Sequence, residues 1–127
     1  MNIAILEDNP AILDYLNAAL TMNGHRVQTF THGAALLNVL FPSDQPPVSI
    51  PFDLILVDLL LPGEISGLEA IQVIRKSIPH ERLPVIIVSA SGQKELDHAQ
   101  SVLPEIPIIR KPFKMQELLR LINNVKV

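Results

Sequence analysis

Short apolar runs that end abruptly in polar residues recur along this chain, and between them lie stretches whose apolar positions return at helical spacing. Residues 3–6 stop at Glu7-Asp8, 54–57 at Asp58, 85–88 at Ser89, and 106–109, interrupted by Pro107, at Arg110-Lys111. Runs of this length suit strands buried on both faces of a parallel sheet. Residues 27–30 alternate instead, and read as a fifth strand nearer an edge. Asn9-Pro10 caps and starts a helix that carries Ile12, Leu13, Leu16 and Leu20 and stops near Asn23-Gly24. Residues 34–40, 68–78, 93–102 and 115–125 are the other helices, the last with Leu118, Leu119 and Ile122 on one side. Five strands alternating with five helices predict an α/β sheet with right-handed crossovers.

Residues 41–52 contain Pro42, Pro46, Pro47 and Pro51, which exclude a helix interior or a central strand and predict a long surface loop. Its length is tolerable because the cost of closing a loop grows slowly with length. A role in docking a partner is the lesser reading. With no internal repeat and no interdomain linker, residues 1–127 read as one domain.

Composition removes several chemistries. The chain has no cysteine, which excludes disulfides, thiol nucleophiles and cysteine-ligated zinc or iron–sulfur centres. Ten Lys and Arg against thirteen Asp and Glu give a net charge of −3, so no basic footprint predicts direct nucleic-acid binding by this segment. Apolar runs stay far below the ~20 residues needed to span a bilayer. Met1-Asn2-Ile3 places no cationic segment ahead of an apolar one, as a signal peptide would. A soluble, cytoplasmic protein is expected, without membrane contact.

The polar residues that end the strand runs carry the chemistry. In an open parallel sheet, ligands bind beyond the carboxyl ends of the strands, where strand order reverses. Glu7, Asp8, Asp58, Ser89 and Lys111 all fall at such ends. Three carboxylates at one point repel one another unless a cation intervenes. Oxygen ligands without His or Cys favour Mg²⁺ over zinc. The expected ligands are Asp8 and Asp58 directly, Glu7 through water, and a backbone carbonyl just after Asp58, that of Leu60. A carboxylate can also attack phosphorus to form an aspartyl phosphate, and Asp58 is the candidate nucleophile. Phosphoryl transfer needs alignment and neutralisation of oxygen charge, for which Lys111 offers an ammonium and Ser89 a hydroxyl. The small Ala90 leaves the phosphate approachable.

Glu7-Asp8, Asp58 followed by Leu61-Pro62 and Gly67, Ser89-Ala90, and Lys111-Pro112-Phe113 together resemble the signature of the response-regulator receiver domain of two-component signalling. The resemblance spans the chain from first strand to last helix. It implies a flavodoxin-like, doubly wound sheet of five strands in the order 2-1-3-4-5, with helices on both faces. It also implies that Asp58 accepts phosphate from a histidine kinase or phosphotransfer protein, after which the domain shifts conformation and switches a partner or output domain. Such a chain is a substrate of a kinase more than an enzyme, assisting its own phosphorylation and dephosphorylation only by stabilising the transition state. The family pattern further implies a cis bond before Pro112, which aims Lys111 at the acidic pocket.

Three departures from the family pattern stand out. The loop after Asp58 reaches Gly67 one residue later than usual. Ile108 takes the place of the aromatic residue that usually reports the hydroxyl's movement, so switching would run through backbone or apolar repacking. Leu60 and Ser91 occupy the positions that tune phosphate lifetime, and neither can orient an attacking water, which predicts slow self-dephosphorylation.

Other polar residues read as structural. Asp53 opens a strand, and Ser66 with Glu69 forms a capping box ahead of the third helix. His25, His32, His80 and His98 lack metal-ligand spacing and read as surface histidines. Asp97, Glu105, Arg110, Lys114, Glu117 and Arg120 lie on the fourth helix, fifth strand and fifth helix, the usual output face of receivers. They could pair across a symmetric homodimer, although a plain solvated face is favoured. Two competing functions remain: a phosphorylation-independent interaction module that retains the fold, and a haloacid-dehalogenase-type phosphatase. The latter resembles an Asp-x-Asp arrangement, whereas Leu59-Leu60 follows Asp58.

Overall fold

A computed structural model describes residues 1–43, 49–61 and 63–125. The chain runs β1 (Asn2–Leu6), α1 (Pro10–Met22), β2 (Arg26–Phe30), α2 (Gly33–Leu40), β3 (Leu54–Val57), α3 (Gly67–Arg75), β4 (Val85–Ser89), α4 (Gln93–Val102), β5 (Ile108–Arg110) and α5 (Met115–Val125). All pairings are parallel, in the order β2-β1-β3-β4-β5, which is the flavodoxin-like topology implied by the family resemblance.

Successive side chains of a strand point to opposite faces, so a strand between two helix layers must be apolar at every position. β1 shows the division. Ala4 and Leu6 pack with Leu36 and Leu40 of α2, Ala70, Ile71 and Ile74 of α3, and Ala99 of α4. Ile3 and Ile5 pack with Leu16 and Leu20 of α1, and with Leu118 and Ile122 of α5. β3 and β4 are buried throughout, whereas β2 is exposed at Arg26, Gln28 and Thr29, as an edge strand should be.

Local chemistry sets the boundaries. The Asn9 side chain accepts the N–H groups of Ala11 and Ile12 at 3.0 and 3.2 Å, and Pro10 opens α1. Ser66 Oγ accepts the N–H of Glu69 while the Glu69 carboxylate accepts the N–H of Ser66, the expected capping box. The largest departures from the expected boundaries are in α3 and β5. α3 ends at Arg75, and Ile78 is buried because a turn folds it back, its N–H reaching Ile74 O at 2.8 Å. β5 starts at Ile108 and extends to Arg110, which pairs with Ser89. Within the proline-rich segment 41–52, residues 44–48 lie outside the described residues, as does Pro62 of the loop after Asp58. Among the described residues no helix is long and apolar enough to cross a membrane.

Candidate functional site

β1 has β2 on one side and β3 on the other, so the crossovers from its two flanks diverge and leave a crevice at its carboxyl end. Ladder hydrogen bonds run one residue past the strands into that crevice. Glu7 N–H reaches Phe30 O at 2.9 Å, Asp58 N–H reaches Leu6 O at 2.9 Å, and Lys111 N–H reaches Ser89 O at 2.8 Å. The backbone register of the sheet thus fixes where these side chains start. The Lys111–Pro112 bond is cis.

The acids converge as the strand-end reading requires. Glu7, Asp8 and Asp58 each offer a carboxylate oxygen, and the three oxygens lie within 4.8 Å of one another. Glu7 and Asp58 are buried, while Asp8 is exposed. Lys111 Nζ donates to Glu7 Oε1 and, at 3.2 Å, to Asp58 Oδ2. The remaining oxygens of both acids are held by backbone. Glu7 Oε2 accepts the N–H groups of Asp8 and Asn9 at 3.0 and 3.2 Å, and Asp58 Oδ1 accepts that of Leu60 at 3.1 Å. The turn that caps α1 therefore also orients Glu7.

Burial pushes the Glu7 carboxyl above its usual range; the Lys111 ammonium and the Asn9 amide oppose this, and Asp58 adds to it. Burial pulls Lys111 down, but the hydrogen bonds and charges of Glu7 and Asp58 together outweigh it and hold the lysine above its usual value. Lys111 is therefore an ammonium clamped between two acids. One ammonium facing three carboxylates leaves an excess of negative charge when all are ionised. That excess, with donors that are oxygen only, fits a hard divalent cation such as Mg²⁺.

Ser89 arrives at the same end of the sheet but, among the described residues, makes no hydrogen bond to the acids. Its Oγ lies 2.7 Å from Ser91 Oγ and accepts the Ser91 N–H at 3.0 Å. Asp58, Lys111, Glu7 and Asp8 are thus gathered, and Ser89 makes its hydrogen bonds elsewhere. Ala90 is exposed beside it. The Leu60 side chain is 56% exposed at the rim. Ile108 is half-buried and packs on the α2–α3–α4 side of the sheet. The loop after Asp58, one residue longer than the usual pattern, still delivers its glycine, because Gly67 lies directly against the Asp58 carbonyl.

The histidines stay outside this pocket. His32 meets Thr31 Oγ1 at 3.0 Å, His25 the amino terminus at 3.2 Å, and His80 both Glu81 and Glu105 at 2.8 and 2.7 Å. His98 lines a separate cavity of about 320 Å³ with Leu60 and Ser91. Asp53 is structural, its Oδ2 accepting the Asn2 N–H at 2.7 Å.

Residues 3–123 match the family model of the response regulator receiver domain. The chain belongs to this family. Among relatives of this receiver domain, the response regulator ArlR of Staphylococcus epidermidis is 32% identical over 98% of the chain and 52% of its own length. The DNA-binding transcriptional regulator NtrC of Proteus hauseri is 31% identical over 96% of the chain and 24% of its own length. The receiver domain thus spans about half or less of these relatives. Among solved structures, the receiver domain of a Pseudomonas aeruginosa sensor histidine kinase, with magnesium in its active-site cleft, is 27% identical. It aligns with a TM-score of 0.78, covering 97% of this chain and 94% of that one. TrrA of Thermotoga maritima, in complex with Mg²⁺ and beryllofluoride, is 25% identical with a TM-score of 0.78, covering 98% and 97%.

Proposed function

We propose that this receiver domain takes a phosphoryl group onto Asp58 from a phosphohistidine of a histidine kinase or phosphotransfer protein. The observation that carries this reading is the convergence of three carboxylates from two strand ends on one lysine ammonium. In the transfer an Asp58 carboxylate oxygen bonds to phosphorus as the donor P–N bond breaks, and the imidazole leaves with its electron pair and takes up a proton. Lys111 offsets charge on the phosphoryl oxygens, and Ser89 supplies a hydroxyl donor. Asp8 and Asp58 would hold Mg²⁺ directly, Glu7 through water, and the Leu60 carbonyl would complete the protein ligands. Bound there, the cation neutralises phosphoryl oxygen charge.

We assign the reaction to the cytoplasm, where a kinase would have ATP from which to make the donor. The α4–β5–α5 face is the candidate surface for a second copy. Arg110 and Asp97 on it are joined through Gln93, at 3.2 and 2.8 Å, whereas Glu105 is engaged by His80 away from this pair. The complete acidic and basic set disfavours the phosphorylation-independent module, since a decayed site would lack one of these groups.

Acetyl phosphate with Mg²⁺ tests the reading. Incorporation of one phosphoryl group, absent in Asp58→Asn and in EDTA, is expected. No incorporation would return the interaction module, and steady release of phosphate from monoesters would return the phosphatase.

A further inference from the structure

The Ser89 hydroxyl is already paired, on the side of the β4–α4 connection. Ser89 is 0% and Ser91 4% exposed, so water does not compete for the pair. Their Oγ atoms are 2.7 Å apart, and the Ser91 N–H adds a second bond to Ser89 Oγ at 3.0 Å. Both bonds draw the Ser89 hydroxyl toward the start of the β4–α4 connection. Across the pocket, Lys111 is committed to Glu7 and Asp58, and no hydrogen bond joins Ser89 to either residue among the described residues.

From this geometry we infer that Ser91 is a positioning residue, a latch that holds the Ser89 hydroxyl away from the phosphoryl site in the resting protein. The inference deepens the phosphoacceptor reading and rests on it. A phosphoryl oxygen on Asp58 and Ser91 Oγ compete for the Ser89 hydroxyl. Phosphorylation must redirect the hydroxyl, and the strength of the Ser89–Ser91 bond sets part of the balance between the two states. The released Ser91 hydroxyl borders the cavity of about 320 Å³ beside Leu60 and His98, which gives it room to turn without leaving a clash.

Beryllofluoride with Mg²⁺, a phosphoryl mimic that needs no donor, separates the possibilities. Removing the competing partner in Ser91→Ala should tighten its binding roughly threefold to tenfold, the span set by the usual net contribution of one hydrogen bond. Ser91→Thr retains the hydroxyl, its added methyl entering the neighbouring cavity, and should restore wild-type affinity. In a Ser89→Ala background the Ser91→Ala effect should vanish, a coupling that a general packing change would not produce. Unchanged or weakened binding in Ser91→Ala, or equal tightening with and without Ser89, overturns the latch. Wild-type protein that takes up no beryllofluoride overturns the phosphoacceptor reading itself, and the latch falls with it.

Discussion

A Cβ atom at Gly67 would lie 2.1 Å from the carbonyl oxygen of Asp58. No side chain fits at that distance, so the first turn of α3 and the end of β3 can touch only because residue 67 is glycine. Gly67→Ala must push α3 or the 58–67 loop aside. An overpacked contact of this kind typically costs about 1–3 kcal/mol, which urea denaturation would measure. Because the displaced carbonyl belongs to Asp58, the proposed phosphoacceptor, the variant should also bind Mg²⁺ more weakly than wild type in a titration.

Removing the ammonium from the pocket should separate its structural role from that of the metal. Lys111→Ala leaves Glu7 and Asp58 buried with their backbone donors but without their shared cation. In EDTA the variant should lose about 1–3 kcal/mol, the usual effect of deleting a charged hydrogen-bond partner. Added Mg²⁺ then takes over the neutralisation. Differential thermal melts should show a larger Mg²⁺-dependent rise in Tm for Lys111→Ala than for wild type. An equal or smaller rise would mean that lysine and metal do not share these acids.

The Glu7 carboxyl sits above its ordinary value in the folded protein, chiefly through burial. The folded chain therefore binds this proton more tightly than the unfolded chain, which releases it near 4.5. The stabilisation is fully present below that value and is lost as pH rises through the folded one. Glu7→Gln cannot titrate. In metal-free buffer the stability of Glu7→Gln relative to wild type should shift in favour of the variant as pH rises from about 4 toward neutrality. Stability curves that run parallel across this range would contradict the assigned direction.

Much of this was legible because a parallel sheet buried on both faces writes itself as apolar runs, and its crevice collects whatever polar residues end them. β3 and β4 could hardly be misread. Boundaries were less legible where pairing depends on backbone alone. Arg110 continues β5 because the ladder to Ser89 is indifferent to an exposed side chain, and Ile106 falls outside it although buried. Ile78 looked like the end of a helix because a tight turn buries an apolar residue as well as a helix does. In the pocket, residue type announced Glu7, Asp8, Asp58 and Lys111. The pairing of Ser89 with Ser91 was invisible, because two serines two residues apart do not reveal that the chain turns one hydroxyl back onto the other.

Ser66 provides a change near the site that should leave its chemistry intact. Its hydroxyl accepts the Glu69 N–H at 3.1 Å, and the Glu69 carboxylate returns the bond to the Ser66 N–H at 3.1 Å. Ser66→Ala removes the first of these and leaves a donor at the start of α3 to water, at a cost of about 1 kcal/mol. The residue is adjacent to Gly67 but donates nothing to the acidic pocket. Urea denaturation should therefore show the loss, while Mg²⁺ affinity and Asp58 phosphorylation by acetyl phosphate stay at wild-type levels. A parallel fall in Mg²⁺ binding would show that the first turn of α3 is held in place by its cap and not by the contact between Gly67 and Asp58.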